Sequence, residues 1–394
     1  METFFQHDAD PIKELPEHSA LRRNIRSLLE KQFPEDRVNK FDRSRDFDEE
    51  LYEQLASIGV LGIDAPEELG GIGDVRDQLV VIEELAAGPT SMAAFLVAQF
   101  AVVQILSNYG HTDEHREILK KLIVGKTKLS FALSEPNGGT DVARAMTTKA
   151  KTTTNGFVIS GQKLWTSGAS IADYIIVLAR TSPVAKSPVG GISMFLLSTS
   201  TPGLDIQELD TFGIHSLSTC EVFFDSVELQ KDALLGELDQ GMYQVFAAIN
   251  REGLNAAAAT LGIARASLNY ALNYVKKREV FGKPIGSFQV PQHWLVDAAV
   301  AIESARSLMV RAVEVEMAGG KADTLTNMAK LVASEAAVEI SHKGMQMMGG
   351  AGFLNEEPMQ RYFRDARLWC FSPLTNEMVR NRIGEQHLGL PRSY

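Results

Sequence analysis

The residues best equipped for chemistry lie in three short segments rich in glycine, hydroxyls and aromatics. ALSEPNGGTD, residues 132–141, sets Gly138 and Gly139 between Ser134 and Thr140. Glycine permits close backbone approach, so this turn can offer N–H groups and two hydroxyls to a flavin edge or a pyrophosphate. The same composition also makes a plain hairpin turn. QKLWTSG, residues 162–168, puts Trp165 beside Thr166 and Ser167. An indole there can stack on a ring while a hydroxyl bonds it. The segment equally reads as a strand ending in a turn. QMMGGAGF, residues 346–353, precedes RYFRDAR, residues 361–367. Glycine amides after a helix suit a phosphate or a ring, or form an ordinary C-cap.

Three other signals fail on spacing. Gly125-Lys126-Thr127 resembles the end of a phosphate loop, but the first glycine required is Lys120. Gly350-Ala351-Gly352 begins a dinucleotide fingerprint whose last glycine would be Asn355, and a helix rather than a strand precedes it. His111 and His115 have zinc-like spacing. Yet Thr112 followed by Asp113 and Glu114 reads as a helix N-cap with acids in the first turn. No metal site is expected.

Elements of three kinds must hold these segments. Residues 1–127 read as helices: Leu21, Ile25, Leu28, Leu29 and Phe33 recur at helical spacing. DEELYEQLASIGVLG ends in glycines before Pro66, PEELGGIGD is a loop, and a long helical stretch runs from Asp77 past Tyr109. Residues 128–236 change character. LSFAL, GFVISG, DYIIVLA, ISMFLLS and EVFFDSVEL are short, β-branched or aromatic runs split by Gly, Ser and Pro, which predicts an antiparallel β domain. Residues 237–394 are helical again, with one long stretch from Gly241 to Lys277 and others over 289–318, 322–347 and 375–387. Short loops between such helices imply a bundle.

Composition narrows the function classes. The 394 residues allow two or three core units, or one large one. With 45% hydrophobic and 23% charged residues the chain is ordinary for a globular enzyme. The 39 Lys and Arg against 50 Asp and Glu give a net charge of -11, which argues against gripping nucleic acid. Cys220 and Cys370 are too few for a disulfide framework. The acidic start has no basic n-region, so no signal peptide is expected. The apolar run Ser91–Leu106, broken by Gln99 and Gln104, reads as too short and too polar to span a bilayer. A soluble, cytoplasmic protein is expected.

In this order and layout the segments resemble one family, the acyl-CoA dehydrogenases, over nearly the whole chain. LYEQLASIGVLGIDAPEELGGIG resembles that family's N-terminal stretch, ALSEPNGGTD its first signature and QMMGGAGF its second. KKREVFGKPIGSFQ, residues 276–289, resembles the segment that reaches a neighbouring subunit's FAD. The resemblance implies an α+β fold: an N-terminal helical domain (1–127), a middle antiparallel β domain (128–236) and a C-terminal four-helix bundle (237–394). FAD would lie between the last two. Phe131, Leu133 and Ser134 would face the flavin ring, Gly139 and Thr140 would sit near the pyrophosphate, and Trp165 and Ser167 would cover the ring. Where the family has Trp-Ile-Thr, this chain has Trp165-Thr166-Ser167, so a hydroxyl survives. Arg278, Phe281, Gln289, Gln346, Gly349 and Gly350 would contact the other subunit's FAD, and Thr375 would add a contact, although Glu377 replaces the usual Gln. Thr140 and Asn250 would meet the acyl-CoA.

The family's chemistry removes an α-proton with a carboxylate while the β-hydrogen leaves as hydride. In most members the base is a Glu after the Arg-Asp-Ala run. Counting from Arg364-Asp365-Ala366, that position is Pro373, which has no proton acceptor, and the next glycine is Leu374. A branch that includes isovaleryl-CoA dehydrogenase carries the base on the long bundle helix. Counting back from Leu261-Gly262 places Glu252 there, with Gly253 where the family has Arg. Ala256 and Ala259 share its helical face, so the carboxylate would look over small side chains. A solvated helix glutamate is the plainer alternative. The resemblance implies acyl-CoA desaturation with electrons passed to an electron-transferring flavoprotein, in a homo-oligomer (dimer or tetramer) that can include a related subunit. A flavin monooxygenase of the same fold and a base-less subunit of a heteromeric dehydrogenase stay open. Phe95, Gln99 and Leu368 are expected to set the depth of the acyl pocket.

Overall fold

The computed structural model describes residues 15–184, 187–248 and 251–393. Six helices come first: α1 (Pro16–Gln32), α2 (Glu35–Ser44), α3 (Glu49–Ser57), α4 (Val75–Ala86), α5 (Thr90–Tyr109) and α6 (Asp113–Ile123). Their starts follow local chemistry. Pro16 opens α1, where its missing N–H costs nothing. Asp48 accepts from Leu51 N at 3.1 Å, and Asp74 with Asp77 forms a capping box on α4. Thr112 accepts from His115 N at 3.1 Å, so the His111/His115 spacing belongs to a capped helix.

Two expectations for this region need correction. The stretch from Asp77 past Tyr109 is two helices, because Gly88 and Pro89 turn the chain between α4 and α5. The apolar run around Ser91–Leu106 belongs to the 20-residue α5, which is long and apolar enough to cross a membrane. Protein covers it instead. Val102, Val103, Ile105 and Leu106 pack toward the β domain, while Phe95, Leu96 and Phe100 pack into the helical core.

The middle region is one eight-stranded sheet: β1 (Leu129–Ala132), β2 (Lys149–Thr152), β3 (Gly156–Ser167), β4 (Tyr174–Arg180), β5 (Ile192–Ser198), β6 (Leu204–Leu209), β7 (Thr219–Gln230) and β8 (Leu234–Leu235). The order is β6-β7-β3-β2-β4-β5-β8, with β1 added alongside β4. Pairing is antiparallel except for β1 on β4 and a single β2–β4 pair. Both faces are covered, which is why β4 and β5 read as unbroken apolar runs. Ile176, Leu178, Met194 and Leu196 face α5 and α6, while Ile175, Val177, Phe195 and Leu197 fill the second face with Phe157, Ile159 and Val222. A four-residue helix, α7 (Val142–Ala145), interrupts the sheet.

The C-terminal helices are α8 (Gly241–Ala248), α9 (Glu252–Lys277), α10 (Gln289–Met317), α11 (Asp323–Met348), α12 (Pro358–Leu368) and α13 (Asn376–Gln386). The stretch predicted from Gly241 to Lys277 is therefore split, with Arg251 in a turn before α9. Helix α9 lies at the centre, and Leu254, Ala256–Ala259, Leu261, Ile263 and Ala264 are fully buried. A Cβ at Gly262 would fall on Glu83 O and lie 2.9 Å from Ala86 Cβ, so α4 and α9 cross at backbone distance there. Charge locks the same crossing. Buried Glu84 binds Arg265 and Arg22 at 2.6 Å and Arg26 at 3.0 Å, and buried Glu83 binds Arg306 at 2.6 Å. These pairs join α1, α4, α9 and α10.

Candidate active site

The two flavin-like segments of the sequence are brought side by side at the ends of β1 and β3. Leu164 N donates to Ser134 O at 2.9 Å, and Ser130 Oγ donates to Ser167 O at 2.9 Å. The β3–β7 register shifts between Lys163 and Thr166, and Trp165 takes a positive φ of 64°. That bulge swings the indole outward, leaving it 61% exposed. Phe131, Leu133, Ser134 and Ser167 are half-buried, and Gly139 and Thr140 are exposed. A Cβ at Gly138 would lie 2.6 Å from Ala145 Cβ, whereas one at Gly139 would meet nothing within 4 Å. Gly138 therefore serves packing on α7, and Gly139 leaves its backbone open. Thr166 turns inward, and its buried Oγ1 has no hydrogen-bond partner among the described residues.

Sequence reasoning passed over the ion pair that holds these segments. Lys163 is fully buried, and its Nζ donates to Leu133 O at 3.0 Å and Glu135 Oε1 at 2.8 Å. Glu135 Oε2 accepts from Thr147 N and Thr147 Oγ1 at 2.6 Å each, and Oε1 accepts from Thr148 N at 3.0 Å. Burial pushes the lysine down to about 8, against the pull of Glu135. Burial of Glu135 is outweighed by Lys163 and the Thr147 bonds, which hold its carboxyl down to about 2. The one available signal was a lysine among apolar and aromatic strand residues.

A second group gathers at the far end of the bundle. Arg278 ends α9, and the hairpin β9 (Glu279–Val280) and β10 (Lys283–Pro284) follows. Phe281 and Gly282 turn it with φ of 52° and 78°, which leaves Phe281 95% exposed. Gln289 starts α10 and is exposed. Tyr274 OH donates to Met348 O at 3.3 Å, bringing this arm beside the end of α11, where Gln346, Gly349 and Gly350 are exposed. A Cβ at Gly349 or Gly350 would meet nothing within 4 Å. Thr375 caps α13 by accepting from Met378 N at 3.3 Å, so its hydroxyl proton is still free to be donated. Buried Lys330 holds the adjoining loop, donating to Leu374 O and Asn376 Oδ1 at 2.7 Å.

Glu252 is the first residue of α9. It keeps a partial opening to solvent while protein surrounds it, and this burial pushes its carboxyl up to about 7. A Cβ at Gly253 would lie 2.8 Å from Thr326 Cγ2 on α11, so a side chain there would press on Thr326. The cation stands at Arg251 instead, paired with Asp64 of the N-terminal region and Glu316 of α10. Pro373 is exposed and offers no acceptor. Asn250 lies outside the described residues.

The three residues expected to set pocket depth are placed as follows. Phe95 is fully buried and packs edge-on against Phe47 at 5.0 Å. Gln99 Nε2 donates to Leu129 O, and its Oε1 accepts from Leu129 N, which staples α5 to β1. Leu368 is half-buried against the helical core. Among the described residues His18, Asp74 and Asp77 could surround an ion. Their carboxylates are already engaged by the capping box and by Arg76.

Three family models cover the chain. Residues 15–126 match the acyl-CoA dehydrogenase N-terminal domain, 130–227 the middle domain and 239–388 the C-terminal domain. The chain belongs to the acyl-CoA dehydrogenase family. It is 34% identical over 372 residues to the human mitochondrial short-chain specific acyl-CoA dehydrogenase, covering 93% of this chain and 89% of that protein. Butyryl-CoA dehydrogenase of Megasphaera elsdenii superposes with a TM-score of 0.90 at 30% identity, covering 95% of this chain and 99% of that one. A chain from work on the electron transferring flavoprotein of Acidaminococcus fermentans gives 0.90 at 29% identity, covering 96% and 99%.

This acyl-CoA dehydrogenase is an FAD-dependent oxidoreductase, and its residues suit that cofactor. The Ser134 N–H has no hydrogen-bond partner among the described residues. Trp165 presents an open indole, and Gly139, Gly349 and Gly350 leave backbone that no Cβ screens. Such groups can flank a ring and bond phosphates.

Proposed function

We propose that this acyl-CoA dehydrogenase desaturates the α,β bond of a short acyl-CoA thioester, with Glu252 as base. The observation that carries the reading is the Glu252 carboxyl, pushed up to about 7 at the start of α9 while the loop position holds Pro373. A carboxylate of that basicity is partly ionised at neutral pH and takes a proton more readily than an ordinary glutamate. Ala256 and Ala259, one and two turns along, present only small side chains on its helical face. Thr140 and Asn250 are assigned to the acyl-CoA, whose carbonyl must accept hydrogen bonds for its α-carbon to become acidic. When bound, FAD supplies the acceptor for the β-hydride. Phe131, Leu133, Ser134, Gly139, Thr140, Trp165, Ser167 and Thr375 are assigned to FAD of the same subunit.

Arg278, Phe281, Gln289, Gln346, Gly349 and Gly350 are assigned to the FAD of a second subunit, because this group projects from the bundle end. The working form is then a dimer or a dimer of dimers. The names of the human and Megasphaera relatives favour a short acyl group, and the Acidaminococcus likeness favours an electron-transferring flavoprotein as acceptor. A cytoplasmic location completes the reading.

The test is anaerobic mixing with butyryl-CoA, followed at the flavin absorbance. The wild type bleaches. Glu252→Gln keeps its FAD and its acyl-CoA affinity but bleaches about a hundredfold to ten-thousandfold more slowly. An unchanged rate in Glu252→Gln would remove the base assignment, and no bleaching of wild type by any acyl-CoA would remove the desaturation reading.

A further inference from the structure

The buried pair Lys163–Glu135 does more than fill space, because of the atom that Lys163 binds. Its Nζ donates to Leu133 O at 3.0 Å. That oxygen belongs to the same peptide unit as the Ser134 N–H. A cation on a peptide oxygen polarises the whole unit and makes its N–H a stronger donor. The Ser134 N–H is unpartnered among the described residues, and it sits beside the bulge that exposes Trp165. Ser134 O accepts from Leu164 N at 2.9 Å, which ties the segment to β3.

We propose that Lys163 is a positioning residue for the flavin: through the Leu133–Ser134 peptide it strengthens a backbone donor to the ring and favours the reduced, more electron-rich form. This rests on the reading that Ser134 faces FAD. Lys163 touches neither ring nor substrate. Glu135 is the counterweight. Its carboxylate, fixed by Thr147 and Thr148, sets where the ammonium stands and limits how much positive charge the ring feels.

The charge asymmetry makes opposite predictions for the two partners, which a role in packing alone does not. Lys163→Met removes the cation and leaves Glu135 buried near the ring, so reduced FAD is disfavoured. Glu135→Gln leaves the ammonium without its counter-charge, so reduced FAD is favoured. Each single change is expected to alter the ratio of affinities for reduced and oxidised FAD by about tenfold, which is about 30 mV for a two-electron couple. Lys163→Met/Glu135→Gln removes both charges and falls between the singles.

The experiment is a dye-coupled reductive titration of the purified holoproteins, with FAD affinity and thermal midpoint of each apoprotein measured alongside. The potential should fall in Lys163→Met and rise in Glu135→Gln. Where Lys163→Met does not fold, a raised potential in Glu135→Gln carries the inference and an unmoved one overturns it. Lowered stability with unmoved potentials, or both singles moving the same way, overturns the inference and leaves the FAD site intact. A wild-type protein that takes up no FAD overturns the cofactor site and this inference together.

Discussion

Glu252 acquires its chemistry from where the helix starts. An exposed glutamate titrates near 4.3. At the head of α9 burial raises it to about 7. As the proposed base Glu252 must be ionised, so flavin reduction by butyryl-CoA should speed up as pH rises through about 7, and stopped-flow rates from pH 5.5 to 9 would show the step. The same shift acts on stability. A carboxyl raised in the folded state stabilises the fold fully below its unfolded value near 4.5, and that contribution is lost as pH rises through 7. Glu252→Gln should therefore match wild-type apoprotein at pH 4 and exceed it at pH 8.5 by up to about 3 kcal/mol in urea melts. A variant that is faster or less stable at pH 8.5 would contradict both arguments.

At the scale of elements, the α4–α9 crossing governs how the helix that carries Glu252 is held. Burial alone would raise Glu84, but Arg265, Arg26 and Arg22 overcome it and bring the carboxyl down to about 2. This lowered group stabilises the fold above its unfolded value near 4.5, and the contribution is lost as pH falls toward about 2. Glu84→Ala leaves Arg265 buried without that partner and should cost about 3–5 kcal/mol at pH 7. The deficit against wild type should narrow in urea melts taken below pH 4.5. Gly262→Ala tests the same crossing by contact. The added methyl meets Glu83 O and Ala86, and it should cost about 1–3 kcal/mol by urea melt at neutral pH.

For the whole molecule the exposed apolar groups matter most. Phe281 stands at a hairpin tip at 95% exposure, and Val290, Val296 and Val300 are exposed along α10. Such residues on one arm and one helix fit burial against a second copy. Phe281→Asp should shift the protein toward monomer in light scattering. On the proposed assignment of Phe281 to a second subunit's FAD, FAD affinity should weaken about tenfold or more. A Phe281→Asp protein that stays assembled with full FAD affinity would contradict the assigned half-site.

Much of this protein is determined by local sequence. The α–β–α order follows from changes in hydrophobic period, and the Thr112 and Asp74 caps follow from side chains bonding amides within three residues. The glycine–hydroxyl segments at 132–141 and 162–168 are equally local, since open backbone and hydroxyls are properties of residue type. What lay beyond the sequence depends on contacts between distant elements. Lys163 reads as an ordinary strand lysine until β3 places it against Glu135 and Leu133 O, and the bonds from Gln99 to β1 join residues thirty apart in the chain. Helix α12 was seen only as a motif, although Pro358 marks its first turn. Glu252 was legible by position alone. Its raised basicity required the tertiary structure, because desolvation is set by the whole surroundings of a carboxyl and not by its neighbours in the chain.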